Sequence, residues 1–331
     1  MDSLPLEFLE HTTGLLSASY DSYKLPVDPL PQPWRKIIKG WQLQVKFYSL
    51  YVYQKSENEF YGQVWRADQS DRPTISDLFE MDKKYIVCIY VFKIMNYPNE
   101  RMNSPYPPTR ISKRDLLDKV LPLAHRQLLF KGMYNSCMEI LFIEDNDVYQ
   151  QGLKKAAEIP SLGEMTFCYM GVETEKIVRR GLRHWNLRRL DVHGSCPPSF
   201  VAEIVRSKCA QELYLEPRRI VLRMWASSSL SQSIPEHPAC PITAEVCQAA
   251  FDRWISDEGQ SYFYISGDCA YTEDDLCRLL ERLETKIEMV SRKDLVVFTG
   301  PGFHRELLFG LSSDPNFRLV KTKKTYPNGR N

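Results

Sequence analysis

The residues able to do chemistry are scattered rather than grouped. The six histidines are His11, His125, His184, His193, His237 and His304. None lies in an H-E-x-x-H or comparable metal-binding spacing. No G-x-S-x-G nucleophile elbow occurs. Gly300-Pro301-Gly302 is not followed by the Gly-Lys-Ser/Thr of a phosphate loop, so it reads as a turn. The nine cysteines are Cys88, Cys137, Cys168, Cys196, Cys209, Cys240, Cys247, Cys269 and Cys277, and no two form a C-x-x-C. Their odd number, and their place inside apolar stretches, fit reduced and buried thiols rather than a disulfide framework or a zinc site. A Cys/His pair that meets only in the folded chain stays open as an enzyme reading. No catalytic, cofactor-binding or metal-binding residue is assigned, and no cofactor is expected.

The elements that would position any site are more telling. The chain has 331 residues, 43% hydrophobic and 26% charged, with a net charge of +1. Those totals suit a folded chain with a large core. They provide no bulk attraction to nucleic acid or membrane, so neither is expected as a partner. The longest apolar runs, such as Tyr85–Phe92, are of strand length and too short to span a bilayer. The opening MDSLPLEF has no basic segment followed by an apolar one, which points to the cytoplasm or nucleus rather than secretion.

Apolar pairs at alternate positions recur at Leu141/Ile143, Met165/Phe167, Leu190/Val192, Leu213/Leu215, Phe263/Ile265, Ile287/Met289 and Phe317/Leu319. The steps between first members are 24, 25, 23, 50, 24 and 30 residues, so one step spans two slots. A helix-period stripe follows most pairs: Val148, Tyr149, Leu153, Ala156 and Ala157 after the first, and Phe200, Val201, Ile204 and Val205 after the third. The strongest stripe is Val246, Cys247, Ala250, Phe251, Trp254 and Ile255. Thr272-x-x-Asp275 reads as a capping box opening the next helix. Strand, helix and next strand at a fixed period of this length mark a stacked β/α array. A compact doubly wound α/β domain is the competing architecture. Residues 226–242, rich in Ser and Pro, fill the slot where a strand is due and read as an insertion.

Ahead of the array, Val45–Val52 and Phe60–Trp65 read as a hairpin, and Tyr85–Ile94 as a strand covered on both faces. The domain reading is therefore 1–44 helical, 45–113 strand-rich, 114–320 the β/α array and 321–331 a flexible tail.

The run Leu187–Val192, LRRLDV, resembles the L-x-x-L-x-L core of leucine-rich repeats, and Ala210–Leu215 is a weaker copy. The Asn of that family's ladder is absent, since His193-Gly194-Ser195 follows. The resemblance implies an irregular leucine-rich-repeat-like solenoid. If Leu190/Val192, Leu213/Leu215 and Phe263/Ile265 point inward, then Arg189, Asp191, Glu212, Tyr214, Tyr262 and Tyr264 share the opposite face. Aromatic and Arg side chains of that kind anchor protein interfaces, so these six are the candidate client-binding residues.

At the N-terminus, Leu4, Pro5, Glu7, Phe8, Leu15 and Leu16 resemble the opening of an F-box, with Trp41 near the place of that motif's late Trp. The four prolines Pro26, Pro29, Pro31 and Pro33 stand where its middle helix belongs, and the usual Cys before the Trp is missing. The resemblance implies that Leu4, Pro5, Phe8 and Leu15 bind a Skp-type adaptor and, through it, a cullin. It makes the chain a non-enzymatic substrate-recognition adaptor of a ubiquitin ligase with an unknown protein client. The same amphipathic segment would also serve as a cap on the array, which leaves a repeat scaffold without a ligase role as the alternative.

Overall fold

The structure is a computed structural model of the chain. It describes residues 35–36, 46–56, 58–66, 73–83, 87–96, 108–130, 136–141, 146–160, 162–185, 187–207, 210–216, 241–281, 287–292, 295–311 and 319–324. Leu4, Pro5, Phe8, Leu15 and the 226–240 part of the insertion lie outside them. The fold is mixed α/β. It divides into two compact units, one within Met1–Thr166 and Lys176–Leu187, the other within Phe167–Glu175 and Arg188–Asn331.

The first unit begins with the expected hairpin. β1 (Lys46–Ser56) pairs antiparallel with β2 (Glu59–Arg66). Helix α1 (Ile75–Lys83) follows. The Thr74 hydroxyl accepts from the Asp77 N–H at 3.1 Å, while the Asp77 carboxylate accepts from the Thr74 N–H at 2.8 Å. This reciprocal cap satisfies two donors of the first turn. β3 (Val87–Asn96) then pairs parallel with β1; Phe92 and Ile94 are buried, whereas Val91, Lys93 and Met95 on the other face are half-buried, so the expected cover on both faces is found in full on one alone.

β4 (Thr109–Ile111) adds antiparallel to β2. Helices α2 (Lys113–Asp115) and α3 (Leu121–Phe130) are joined by a π turn over Leu116–Val120. β5 (Cys137–Ile140) returns parallel to β3. Helix α4 (Asn146–Ala156) leads to β6 (Glu164–Cys168). The strand order is β4-β2-β1-β3-β5-β6. Leu50, Val52, Phe92, Ile94, Met138 and Ile140 are buried on one sheet face. Helix α4 lies against it so closely that a Cβ on Gly152 would sit 2.8 Å from the Ile140 Cδ1.

The first expected strand needs correction. Its inward pair is Met138 and Ile140, not Leu141 and Ile143. Leu141 is buried just past the strand end, where its N–H donates to the Ile94 carbonyl at 2.8 Å. Ile143 lies outside the described residues.

The division between the units falls within β6 and within helix α5 (Val172–Leu182). The second unit holds β7 (Leu187–His193), α6 (Pro198–Ser207) and β8 (Ala210–Glu216). β9 (Pro241–Thr243), α7 (Ala244–Ser256), β10 (Tyr262–Ser266), β11 (Asp268–Ala270) and α8 (Glu273–Leu280) follow. β12 (Glu288–Arg292), β13 (Leu295–Thr299), β14 (Arg305–Gly310) and β15 (Leu319–Lys324) complete it. The order is β7-β8-β10-β15-β14-β13-β12, with β8 and β10 parallel, while β9 and β11 form a separate parallel pair. The Thr272/Asp275 capping box of α8 is present as expected.

After β10 the parallel progression expected from the period stops. β15, not the strand at Met289, lies beside β10, and it is antiparallel. β12 through β15 form an antiparallel meander with β12 outermost. The physical reason is connection length. A parallel return needs a crossover of about a dozen residues or more. Two residues separate β12 from β13 and five separate β13 from β14, so each can only turn back. β15 also runs to Lys324, four residues into the segment read as tail.

Helix α7 closes one face of this sheet. Phe251 meets Phe298 edge-on at 5.2 Å between ring centroids, and Phe298 meets Phe309 at 5.5 Å. The Trp254 indole lies 4.5 Å from the Phe303 ring and donates to the Arg305 carbonyl at 2.7 Å. Gly259, with φ of +69°, makes the turn that leaves α7, and a Cβ there would lie 2.8 Å from the same Arg305 oxygen. Both the backbone conformation and the space require glycine. Gly259→Ala is expected to cost about 2 kcal/mol or more of unfolding free energy, read from urea denaturation; a change below about 0.5 kcal/mol would contradict this account of the turn.

Candidate functional site

The sheet of the second unit has two unlike faces. Phe263, Ile265, Val320, Leu307, Phe309, Val296 and Phe298 are buried on the α7 side. Because side chains alternate along a strand, their neighbours occupy the other face. The register there runs Tyr214 beside Tyr264, Tyr264 beside Lys321, Lys321 beside Leu308, Leu308 beside Val297 and Val297 beside Val290. Glu212 stands beside Tyr262 in the adjoining row.

The six candidate residues thus fall on three adjacent strands. Arg189 and Asp191 are two apart on β7, Glu212 and Tyr214 on β8, Tyr262 and Tyr264 on β10. For Glu212 and Tyr214 the structure gives the backbone position and register alone. Tyr262 and Tyr264 are half-buried. The Arg305 guanidinium lies 5.5 Å from the centroid of the Tyr262 ring, a cation–π contact.

Arg189 and Asp191 form one unit rather than two separate contacts. The Arg189 Nε and Nη2 donate to the Asp191 carboxylate at 3.1 and 2.9 Å. The Asp191 side chain retains 12% of its exposure and that of Arg189 39%. The acid is sheltered and the guanidinium remains accessible. Such a fork holds Arg in a fixed direction, which lowers the entropy cost of using it in recognition.

Lys321, Leu308 and Val297 belong to this face and were not read from the sequence. They arrive on antiparallel strands whose neighbours are set by long-range pairing, and no local period announces it. The first unit carries a comparable row, Gln63-Tyr51-Lys93-Glu139, with Tyr51 stacked on Tyr53 at 6.3 Å between centroids. Burial pulls the Lys93 ammonium down, but the ion pair and hydrogen bond with Glu139 outweigh it and leave its pKa raised.

Among the described cysteines Cys168, Cys196 and Cys247 are buried, Cys137 and Cys269 half-buried and Cys277 exposed. Burial pushes Cys247 well above the ordinary range for a thiol, and an undissociated thiol is a poor nucleophile. Nearby, the Tyr271 hydroxyl donates to the Gly310 carbonyl at 2.6 Å, and its own pKa is also driven up by burial. Among the described residues no group of three or more His, Cys, Asp or Glu side chains could hold a metal ion. Nor does any described helix have the length and apolarity to cross a membrane.

Comparison with protein-family models, with curated proteins and with solved structures returns no match for this chain.

Because the Arg189 side chain keeps 39% of its exposure, a double-mutant cycle with Arg189→Ala and Asp191→Ala is expected to give a coupling of about 0.5–1 kcal/mol. A coupling above about 2 kcal/mol would mark the pair as a fold-stabilising buried contact instead.

Proposed function

We propose that this chain is a non-catalytic substrate-recognition adaptor of a Skp–cullin–F-box ubiquitin ligase. It takes a protein client on the sheet face formed by β7, β8 and β10, and an adaptor at Leu4, Pro5, Phe8 and Leu15. The observation that carries the client part is the contrast between faces. One face is apolar and covered by α7. The other carries Tyr262 and Tyr264, and on β7, next to β8, Asp191 holds Arg189 in a fixed direction. Tyr and Arg are the side chains that most often dominate the energy of a protein interface.

Successive strands β1-β3-β5-β6 and β7-β8-β10 follow chain order within their units, which favours a stacked β/α arrangement over a doubly wound one. The repeat-like solenoid is proposed for those strands alone, since the meander after β10 does not continue it. The adaptor part rests on the resemblance of Leu4–Leu16 to an F-box opening.

Two variants separate the two contacts. Phe8→Asp is expected to abolish co-purification of a Skp adaptor while leaving client recovery and the melting temperature unchanged. Tyr262→Ala with Tyr264→Ala is expected to weaken client capture by at least about tenfold while leaving the adaptor bound. Absence of any Skp adaptor from wild-type purifications would sink the ligase role and leave a scaffold. Equal client recovery from the tyrosine variant would remove this face from consideration.

A further inference from the structure

β12 is the outermost strand of the second unit's sheet, and among the described residues no strand pairs with its outer edge. An open edge offers a row of backbone donors and acceptors to another strand. The row Leu308-Val297-Val290 runs straight to this edge. Leu308 and Val297 are buried, yet Val290, the last member, is 44% exposed. The apolar row therefore ends in an unshielded side chain at the place where a further strand would extend it.

The sequence of the strand says which further strand fits. β12 reads Glu288-Met289-Val290-Ser291-Arg292. Two copies laid antiparallel about a two-fold axis at Val290 bring Val290 against Val290. The same register sets position 288 of each copy opposite position 292 of the other, an acid against a base on both sides. Positions 288, 290 and 292 alternate to the side of the apolar row by backbone register, which for Arg292 is all the structure gives. A two-fold contact must be complementary to itself, and this strand is. Shifting the register by one residue in either direction loses both charge pairs and parts the valines.

We propose that β12 is a homodimerisation edge, through which a second copy of this chain pairs antiparallel across Val290. The contact is a single short strand, so the dimer is weak and concentration-dependent. The test is sedimentation velocity of the full chain over a range of concentrations. Wild type is expected to pass from monomer to dimer as concentration rises. Glu288→Arg sets like charges opposite each other twice and is expected to raise the dissociation constant at least about tenfold. Combining it with Arg292→Glu restores opposite charges and is expected to return the constant to near the wild-type value. Val290→Lys, tested separately, is expected to leave monomer alone. Circular dichroism and the melting temperature of each variant establish that it is folded. Should one of them unfold, the remaining variants still decide the matter. A wild type that stays monomeric at the highest concentration reached overturns the proposal. So does a dimer indifferent to Glu288→Arg, or one that the charge swap fails to restore.

Discussion

Burial of the Phe251 and Trp254 side chains against the sheet is the interaction on which the second unit depends. Both belong to one helix, and both are fully enclosed. Phe251 meets the sheet at Phe298. Trp254 reaches the start of β14 twice, through its ring on Phe303 and its indole N–H on the Arg305 carbonyl. A buried indole N–H without an acceptor would cost about 1–3 kcal/mol, so this bond fixes where β14 begins relative to α7. The same carbonyl limits Gly259 to a residue without a Cβ. Helix, turn and antiparallel meander are thus locked together at one point. Tyr262 and Tyr264, alternating with the buried Phe263, fall on the opposite face.

Polar contacts then restrain side chains at Arg189 and Tyr262. The Arg189–Asp191 fork occupies one strand, and the cation–π contact of Arg305 steadies the Tyr262 ring at the end of another. Both restrain side chains that would otherwise sample many rotamers, and restraint before binding raises affinity. The face is neither strongly acidic nor strongly basic.

Much of this was legible in the sequence, for a local reason. The stripes Val148/Tyr149/Leu153/Ala156 and Phe200/Val201/Ile204/Val205 are buried on helices as their spacing requires. Met165/Phe167, Leu190/Val192 and Phe263/Ile265 are buried on strands likewise. Thr272 and Asp275 cap α8 because the cap is written in four consecutive residues, and Thr74 and Asp77 carry the same signal for α1. Gly300–Gly302 is a turn, and it joins β13 to β14. What local pattern does not contain is order and direction. Met289 and Leu319 sit on strands near the expected places, but hairpin connections fold them into a meander that a constant period does not foretell. Val290, on a strand whose outer edge no described strand pairs with, likewise acquires its meaning only from the strand order.

The central claim is that the face bearing Tyr264 holds a client while the adaptor binds elsewhere. The most direct test replaces Tyr264 with a photoactivatable amino acid in the full chain, irradiates native cells and identifies what becomes covalently attached. The account predicts a crosslink to a client protein whose ubiquitination depends on this chain, and none to a Skp adaptor. A crosslink to the adaptor from this position, or none to any protein while the folded chain still purifies with its client, would contradict it.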